Sequence, residues 1–273
     1  KPSEPPYGDF DFSRNSAATR VNAQGLVENV QILSSNLVQN GDFSEEGVQE
    51  VSNGSFSQEG SDIIVNGDFA TDSNWVGSFS ISNGQLTKIN NGLVGQSTLD
   101  ISVKSYKVVV DVDTIGSPMT IYLGGTNETL IEGVNTIYMQ SGGSNNLVGF
   151  NNGSGSIINS ISCVEVGQDW ALNTGWSIGV DKAISDGTIN TSVSQSNVFT
   201  IGKSYKVTIS VNDVVGSLDA RFWMGTGGDK ININSQGDYT AYWKADGTDL
   251  LVTTLSGNTA TYSITNISVK EVG

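Results

Sequence analysis

Every second residue is apolar in Tyr106, Val108, Val110 and Val112, and again in Tyr205, Val207, Ile209 and Val211. Lys206, Thr208 and Ser210 fill the alternate positions of the second run, the period-two pattern of a half-buried antiparallel strand. Similar runs follow at intervals of about ten residues, separated by clusters of Gly, Asn, Asp and Ser. The pattern predicts short strands joined by turns and packed face to face as β-sandwiches.

The two runs belong to a longer repeat. Ser105-Tyr106-Lys107-Val108 reappears as Ser204-Tyr205-Lys206-Val207, Trp75 aligns with Trp176, and Ile161-Ser162-Cys163-Val164-Glu165-Val166-Gly167 aligns with Ile267-Ser268-Val269-Lys270-Glu271-Val272-Gly273. A period of about a hundred residues means two complete domains in tandem rather than the short repeat of a solenoid.

Ahead of them, Asp11–Val21, a turn at Asn22-Ala23-Gln24-Gly25 and Leu26–Val30 predict a small strand–turn–strand arm. A four-residue motif then recurs at a step of thirteen, as Asn40-Gly41-Asp42-Phe43, Asn53-Gly54-Ser55-Phe56 and Asn66-Gly67-Asp68-Phe69, after Val38, Val51 and Val65. Asn-Gly is a strong turn signal, so the first two copies read as a connector and the third as the opening of the first module. Gly167-Gln168-Asp169-Trp170 aligns with the third copy and opens the second module. The expected layout is an N-terminal arm and connector over 1–61 and modules over 62–166 and 167–273.

Composition narrows the chemistry. The chain of 273 residues carries 28 acidic and 13 basic residues, a net charge of −15, and no histidine. The negative balance argues against nucleic-acid and anionic-membrane partners, whose binding rests on Lys and Arg. Without histidine the commonest general base and the usual zinc ligand are gone. No residue is singled out as catalytic and no metal ligand is assigned. The lone Cys163 aligns with Val269 at an alternating apolar position and reads as a small buried hydrophobe. Asp111 and Asp113 have Ser210 and Asn212 as counterparts, so they read as a hydrated strand edge rather than a shared calcium site. No apolar run is long enough to span a bilayer. A start at Lys1 rather than Met fits a processed chain or part of a longer polypeptide.

The repeat also sorts inside from outside. Ile121 aligns with Phe222, Leu123 with Met224, Ile137 with Ala241 and Met139 with Trp243, apolar in both copies and expected inward. Trp75 and Trp176 are expected in the cores. The intervening positions place Tyr122 and Tyr138 on the non-core surface of the first module, and Arg221, Trp223 and Tyr242 on that of the second. Aromatic rings beside Arg, Asn or Gln can stack on the C–H face of a sugar, so these five residues are the candidate ligand-binding set. The same rings would equally serve subunit or intermodule packing, or stand as plain surface aromatics.

An opening Asn-Gly-Asp-Phe at 66–69, Trp75, the central Ser-Tyr-Lys-Val strand and the closing Ile-Ser-Val-Lys-Glu-Val at 267–272 resemble the jelly-roll modules, related to carbohydrate-binding modules, of tailed-bacteriophage virion proteins. The stretch Phe12–Asn22 followed by Gly25-Leu26-Val27-Glu28 is similar to a segment that precedes such modules. The resemblance implies an all-β fold of two tandem jelly-roll β-sandwiches behind a small β-rich N-terminal arm. It implies a fibre, decoration or adhesin subunit located on the virion and facing outward. Its implied partners are other virion proteins, further copies of itself (trimers being usual) and host-surface glycans. In some members a structural calcium lies near the first strand; Ser160 and Asn266 stand here where glycan-binding relatives often have aspartate, and no other cofactor is expected. The alternative is a secreted bacterial carbohydrate-binding protein, or the binding part of a polysaccharide-degrading enzyme.

Overall fold

The computed structural model describes residues 19–29, 44–97, 101, 103–225 and 230–273, and the chain divides into units 1–44 and 45–273. In the first unit Thr19–Val21 and Val27–Asn29 pair as an antiparallel hairpin, Thr19 opposite Asn29. The Asn22 carboxamide oxygen accepts the Gln24 and Leu26 amides, which closes the expected turn. The remainder of the predicted arm and the first motif copy, Asn40–Phe43, lie outside the described residues.

The second unit holds two jelly-roll β-sandwiches, and their pairing within sheets is antiparallel throughout the described strands. In the first, Gly133–Gln140, Ser105–Thr114, Ile157–Val166, Gln85–Lys88 and Phe79–Ser82 lie side by side, with Glu59–Asp62 also against Ile157–Val166. The facing sheet is Thr126–Thr129, Met119–Leu123, Leu147–Asn152 and Val94–Ser97. The second sandwich repeats this plan. Trp176–Gly179, Lys182–Ser185, Thr261–Val272, Ser204–Val215 and Gly237–Lys244 face Ala171–Leu172, Thr191–Gln195, Leu250–Thr254, Ala220–Met224 and Lys230–Ile233.

The alternating strands do what their period dictates. Tyr106, Val108, Val110 and Val112, and Tyr205, Val207, Ile209 and Val211, are buried between the sheets. So are Ile121, Leu123, Phe222, Met224, Met139, Trp243, Trp75 and Trp176, while Ile137 and Ala241 are partly buried against the same two cores. Each such aromatic or branched side chain contributes about 1.5–3 kcal/mol by leaving water. Cys163 is fully buried, and burial, with the Asp62 charge behind it, pushes its thiol up to about 12. It is a core residue.

The opening of the second sandwich differs from expectation. Glu46–Gln49 pairs with Thr261–Val272, Gln49 opposite Lys270 and Glu46 opposite Val272. Val51 and Phe56 belong to the second core, and Ile64 and Phe69 to the first. Residues 45–57, read as connector, are therefore the opening segment of the second sandwich, and the first sandwich is inserted between that segment and Gly167. The thirteen-residue step is the distance between two equivalent opening segments. It also moves one equivalence, because the partner of Val51 is Ile64, while Val65 is exposed.

Each opening segment is held by the same contacts. Asn66 and Phe69 take φ values of 56° and 53°, and Asn53 and Phe56 take 48° and 58°. Positive φ in a phenylalanine is strained and persists only where packing fixes it. Here Phe69 packs on Trp75 with ring centroids 5.3 Å apart, and Phe56 packs on Trp170 at 4.9 Å. Trp75 Nε1 donates to the Asn66 carbonyl at 3.1 Å, and Trp170 Nε1 to the Asn53 carbonyl at 2.9 Å. The counterpart of Trp75 is thus Trp170, and the alignments of Trp75 with Trp176 and of Gly167–Trp170 with Asn66–Phe69 are corrected. The glycine between Asn and the third residue is needed for close approach: a Cβ on Gly67 would strike the Ile161 carbonyl, and one on Gly54 the Ile267 carbonyl.

A buried glutamine grips each segment from the other sheet. Gln96 and Gln195 accept the amides of Val65 and Ser52 at 3.1 and 2.9 Å, and each donates back to the same residue's carbonyl. Ion pairs close the outer edge. Glu59 meets Lys107 at 2.7 Å, and Glu46 meets both Lys206 and Lys270, which hold the Glu46 carboxyl below its ordinary range.

Candidate functional site

The strand Ala220–Met224 sits between Lys230–Ile233 and Leu250–Thr254, with Ala220, Phe222 and Met224 buried. Its alternate residues, Arg221 and Trp223, necessarily face out from the five-stranded sheet. Arg221 lies opposite Thr253, and Trp223 opposite Leu251. The Trp223 indole Nε1 donates to Thr253 Oγ1 at 2.9 Å, which fixes the ring across the neighbouring strand.

Beside that ring the surface opens into a groove of about 490 Å³, walled by Asn173, Thr188, Asn190, Ser192, Leu251 and Thr253 among others. The polar wall is itself ordered. Asn173 Nδ2 donates to Ser192 Oγ at 3.0 Å, Thr191 Oγ1 donates to the Thr174 carbonyl at 2.7 Å, and the Asn190 amide donates to the Thr254 carbonyl at 2.8 Å. Arg221, on the same sheet face as Trp223, has its Nε buried with no hydrogen-bond partner among the described residues. An aromatic ring bordered by hydroxyls and carboxamides can take a ring C–H face and several hydroxyls at once.

The other candidate aromatics are not brought to this groove. Tyr242 lies on Gly237–Lys244, opposite Lys206 in the six-stranded sheet, and is 68% exposed. Because Trp243 points into the core, Tyr242 faces out on the other side of the sandwich from Trp223. The aromatic candidates of each sandwich therefore do not pair on one face: Tyr122 and Tyr138 lie on different sheets, as do Trp223 and Tyr242.

In the first sandwich Tyr122 faces out from the four-stranded sheet, opposite Gly149, and its hydroxyl accepts a hydrogen bond from Asn145 Nδ2 at 2.6 Å. Tyr138 is in the six-stranded sheet, opposite Lys107, and is partly buried against the core of the second sandwich. It is an intermodule packing residue, one of the roles its sequence position left open.

Asp111 accepts from Asn159 Nδ2 at 3.2 Å, and Asp113 from Thr114 Oγ1 at 3.1 Å. Among the described residues no three acidic or sulfur side chains converge as a metal set. Sequence reasoning missed Asn173, Asn190, Ser192 and Thr253, which carry no motif and meet only through strand pairing. It also missed Lys88, a buried lysine whose Nζ donates to the carbonyls of Gly92 at 2.6 Å and Phe150 at 2.9 Å. Burial brings its pKa down to about 8. The Gln96–Gln195 pair could have been found, because it shares the offset of the Ser-Tyr-Lys strands.

No family model matches the chain, and no curated protein matches it. Among solved structures it is similar to the N-terminal tandem CBM22-1-CBM22-2 domain of Paenibacillus barcinonensis Xyn10C. That match has 9% identity over 79% of this chain and 99% of the other, with a TM-score of 0.27. It is also similar to allantoicase of Saccharomyces cerevisiae, at 8% identity over 82% and 92% of the two chains and a TM-score of 0.27. A protein from Parabacteroides distasonis matches at 8% identity over 79% and 88%, with a TM-score of 0.20. The strand order and antiparallel pairing carry the jelly-roll assignment.

Proposed function

We propose that the chain is a non-catalytic glycan-binding protein whose binding surface is the outer face of the five-stranded sheet in the second sandwich. The observation that carries this reading is the polar groove beside Trp223. Trp223 would stack on one sugar ring, Arg221 would donate to a hydroxyl or carboxylate, and Asn190, Ser192 and Thr253 would meet the remaining hydroxyls. The lack of histidine, the commonest general base, supports binding without turnover.

The setting we propose is the virion of a tailed bacteriophage, with the chain as a fibre, decoration or adhesin subunit, oligomeric and facing outward. This rests on the resemblance of 12–28, 66–75 and 267–272 to virion modules. A secreted bacterial carbohydrate-binding protein would use the same groove, and the remainder of the parent polypeptide separates the two settings.

The test is a glycan array followed by retention measurements on the glycan selected. Wild type and Tyr242→Ala are expected to be retained equally, and Trp223→Ala to lose at least tenfold in affinity while melting as wild type. Equal retention of Trp223→Ala, or no retention of wild type on any glycan, would overturn the reading.

A further inference from the structure

The first sandwich seats the second on one face, and that contact has a socket and a plug. The socket is a cross-strand row on the outside of the six-stranded sheet, with Tyr138 opposite Lys107 and Lys107 opposite Val164. Tyr138 and Val164 are both partly buried against the second core. The plug is the hairpin of Trp176–Gly179 and Lys182–Ser185. Its first strand lies against Gly133–Gln140, and its tip brings the Asp181 charge towards Lys107.

The tandem repeat builds both parts a second time. On the second sandwich the equivalent row is Tyr242, Lys206 and Lys270, and there Tyr242 is 68% exposed. On the first sandwich the equivalent hairpin is Phe79–Ser82 with Gln85–Lys88. Trp176 and Ile178 of the seated plug are each 3% exposed. Their counterparts Phe79 and Ile81 are only partly buried, and the tip Ser82-Asn83-Gly84 is exposed. Phe79–Ser82 and Gly237–Lys244 are the outer strands of their sheets, each with one edge unpaired among the described strands.

The charges of the two free parts match. Where the filled socket has Val164 the open one has Lys270, and Lys244 follows Tyr242 on the same face. Glu46, paired with Lys206 and Lys270, is the carboxylate among these three lysines. The open socket therefore favours an acidic plug. At the free tip Gly84 stands in the place of Asp181, but the exposed Asp68 lies beside it, its carbonyl oxygen 3.8 Å from where a Gly84 Cβ would stand. A carboxylate is thus kept close to the tip.

We propose that the Tyr242 face is the docking site for a second copy of this chain, which enters with its Phe79–Lys88 hairpin as the Trp176–Ser185 hairpin enters the first sandwich. The contact is heterologous. Each pair of copies leaves one socket and one plug free, so repetition gives an open filament or a closed ring. This gives a geometry to the oligomer proposed above. Its test reads mass and the glycan test reads retention, so the two readings fail separately.

The test is sedimentation equilibrium of the full chain. The wild-type mass is expected to rise with concentration. Tyr242→Ala, which empties the socket, and Ser82→Arg, which sets a cation on the plug against Lys206 and Lys244, should each melt as wild type and associate at least tenfold more weakly. An equimolar mixture of the two variants is the decisive sample. The Tyr242→Ala chain keeps its plug and the Ser82→Arg chain keeps its socket, so the mixture should form a dimer of one of each and stop there. A wild type that keeps the mass of one chain up to about 1 mM, variants that associate as wild type, or a mixture that stays monomeric or grows past the dimer would overturn the proposal.

Discussion

The Lys88 ammonium is enclosed in the first sandwich with two backbone carbonyls and, among the described residues, no carboxylate, and burial brings its pKa down from 10.5 to about 8. Below pH 8 both folded and unfolded chains hold the proton. Between about 8 and 10.5 the unfolded chain holds it and the folded chain has released it, so stability rises with pH, by up to about 3 kcal/mol. Cys163 opposes this. Its thiol moves from 9.0 to about 12, so from pH 9 the unfolded chain ionises first and stability falls. The Lys88 contribution is therefore cleanest between about pH 8 and 9. Thermal melts of the first sandwich should rise across that interval in wild type and stay level in Lys88→Met; equal slopes would dismiss the lysine as the cause. Backbone contact gives a second prediction at this scale. Gly67→Ala should cost the first sandwich about 2 kcal/mol through overpacking against the Ile161 carbonyl, measured by urea denaturation.

At the scale of strands, period two fixed which side of each strand is buried but not which sheet a strand joins. Tyr122, Tyr138, Trp223 and Tyr242 were all legible as outward positions, because Ile121, Met139, Phe222 and Trp243 alternate with them inside. That Trp223 and Tyr242 lie on different sheets follows from pairing partners about 30 residues away, such as Arg221 with Thr253 and Lys206 with Tyr242, which no local pattern encodes. The groove was hidden for the same reason. Asn173, Asn190 and Ser192 are ordinary in a chain rich in small polar residues, and pairing alone brings them beside an indole. Arg221→Lys, which keeps the charge but loses the planar fork, should weaken glycan retention severalfold without changing the melting temperature. If retention is unchanged, Arg221 stands outside the ligand's reach.

Over the whole molecule the repeat gave away two sandwiches, and the Asn-Gly-x-Phe step of thirteen gave away equivalent segments. Their assignment was not legible, because a shared Asn-Gly-x-Phe pattern says nothing about which core its phenylalanine enters. The deciding contacts join residues more than a hundred positions apart, as Trp170 with Asn53 and Gln49 with Val269. Inserting one sandwich into another has a cost: the second cannot complete its core until its first strand and its remainder meet across the folded insert, a closure of long contact order. The first sandwich, contiguous from 58 to 166, should refold faster and independently, and stopped-flow fluorescence of Trp75→Phe and Trp170→Phe chains would separate the two phases. A single phase common to both variants would contradict that order.

The most direct measurement of this nested arrangement is amide hydrogen exchange on Phe56→Ala beside Phe69→Ala. Removing either ring should cost about 3–5 kcal/mol in the core that holds it. Phe56→Ala should raise exchange in Ser204–Val215 and Thr261–Val272 and leave Ser105–Thr114 protected, while Phe69→Ala should do the reverse. Exchange that rises in the first sandwich, or only within residues 45–57, on loss of Phe56 would contradict it.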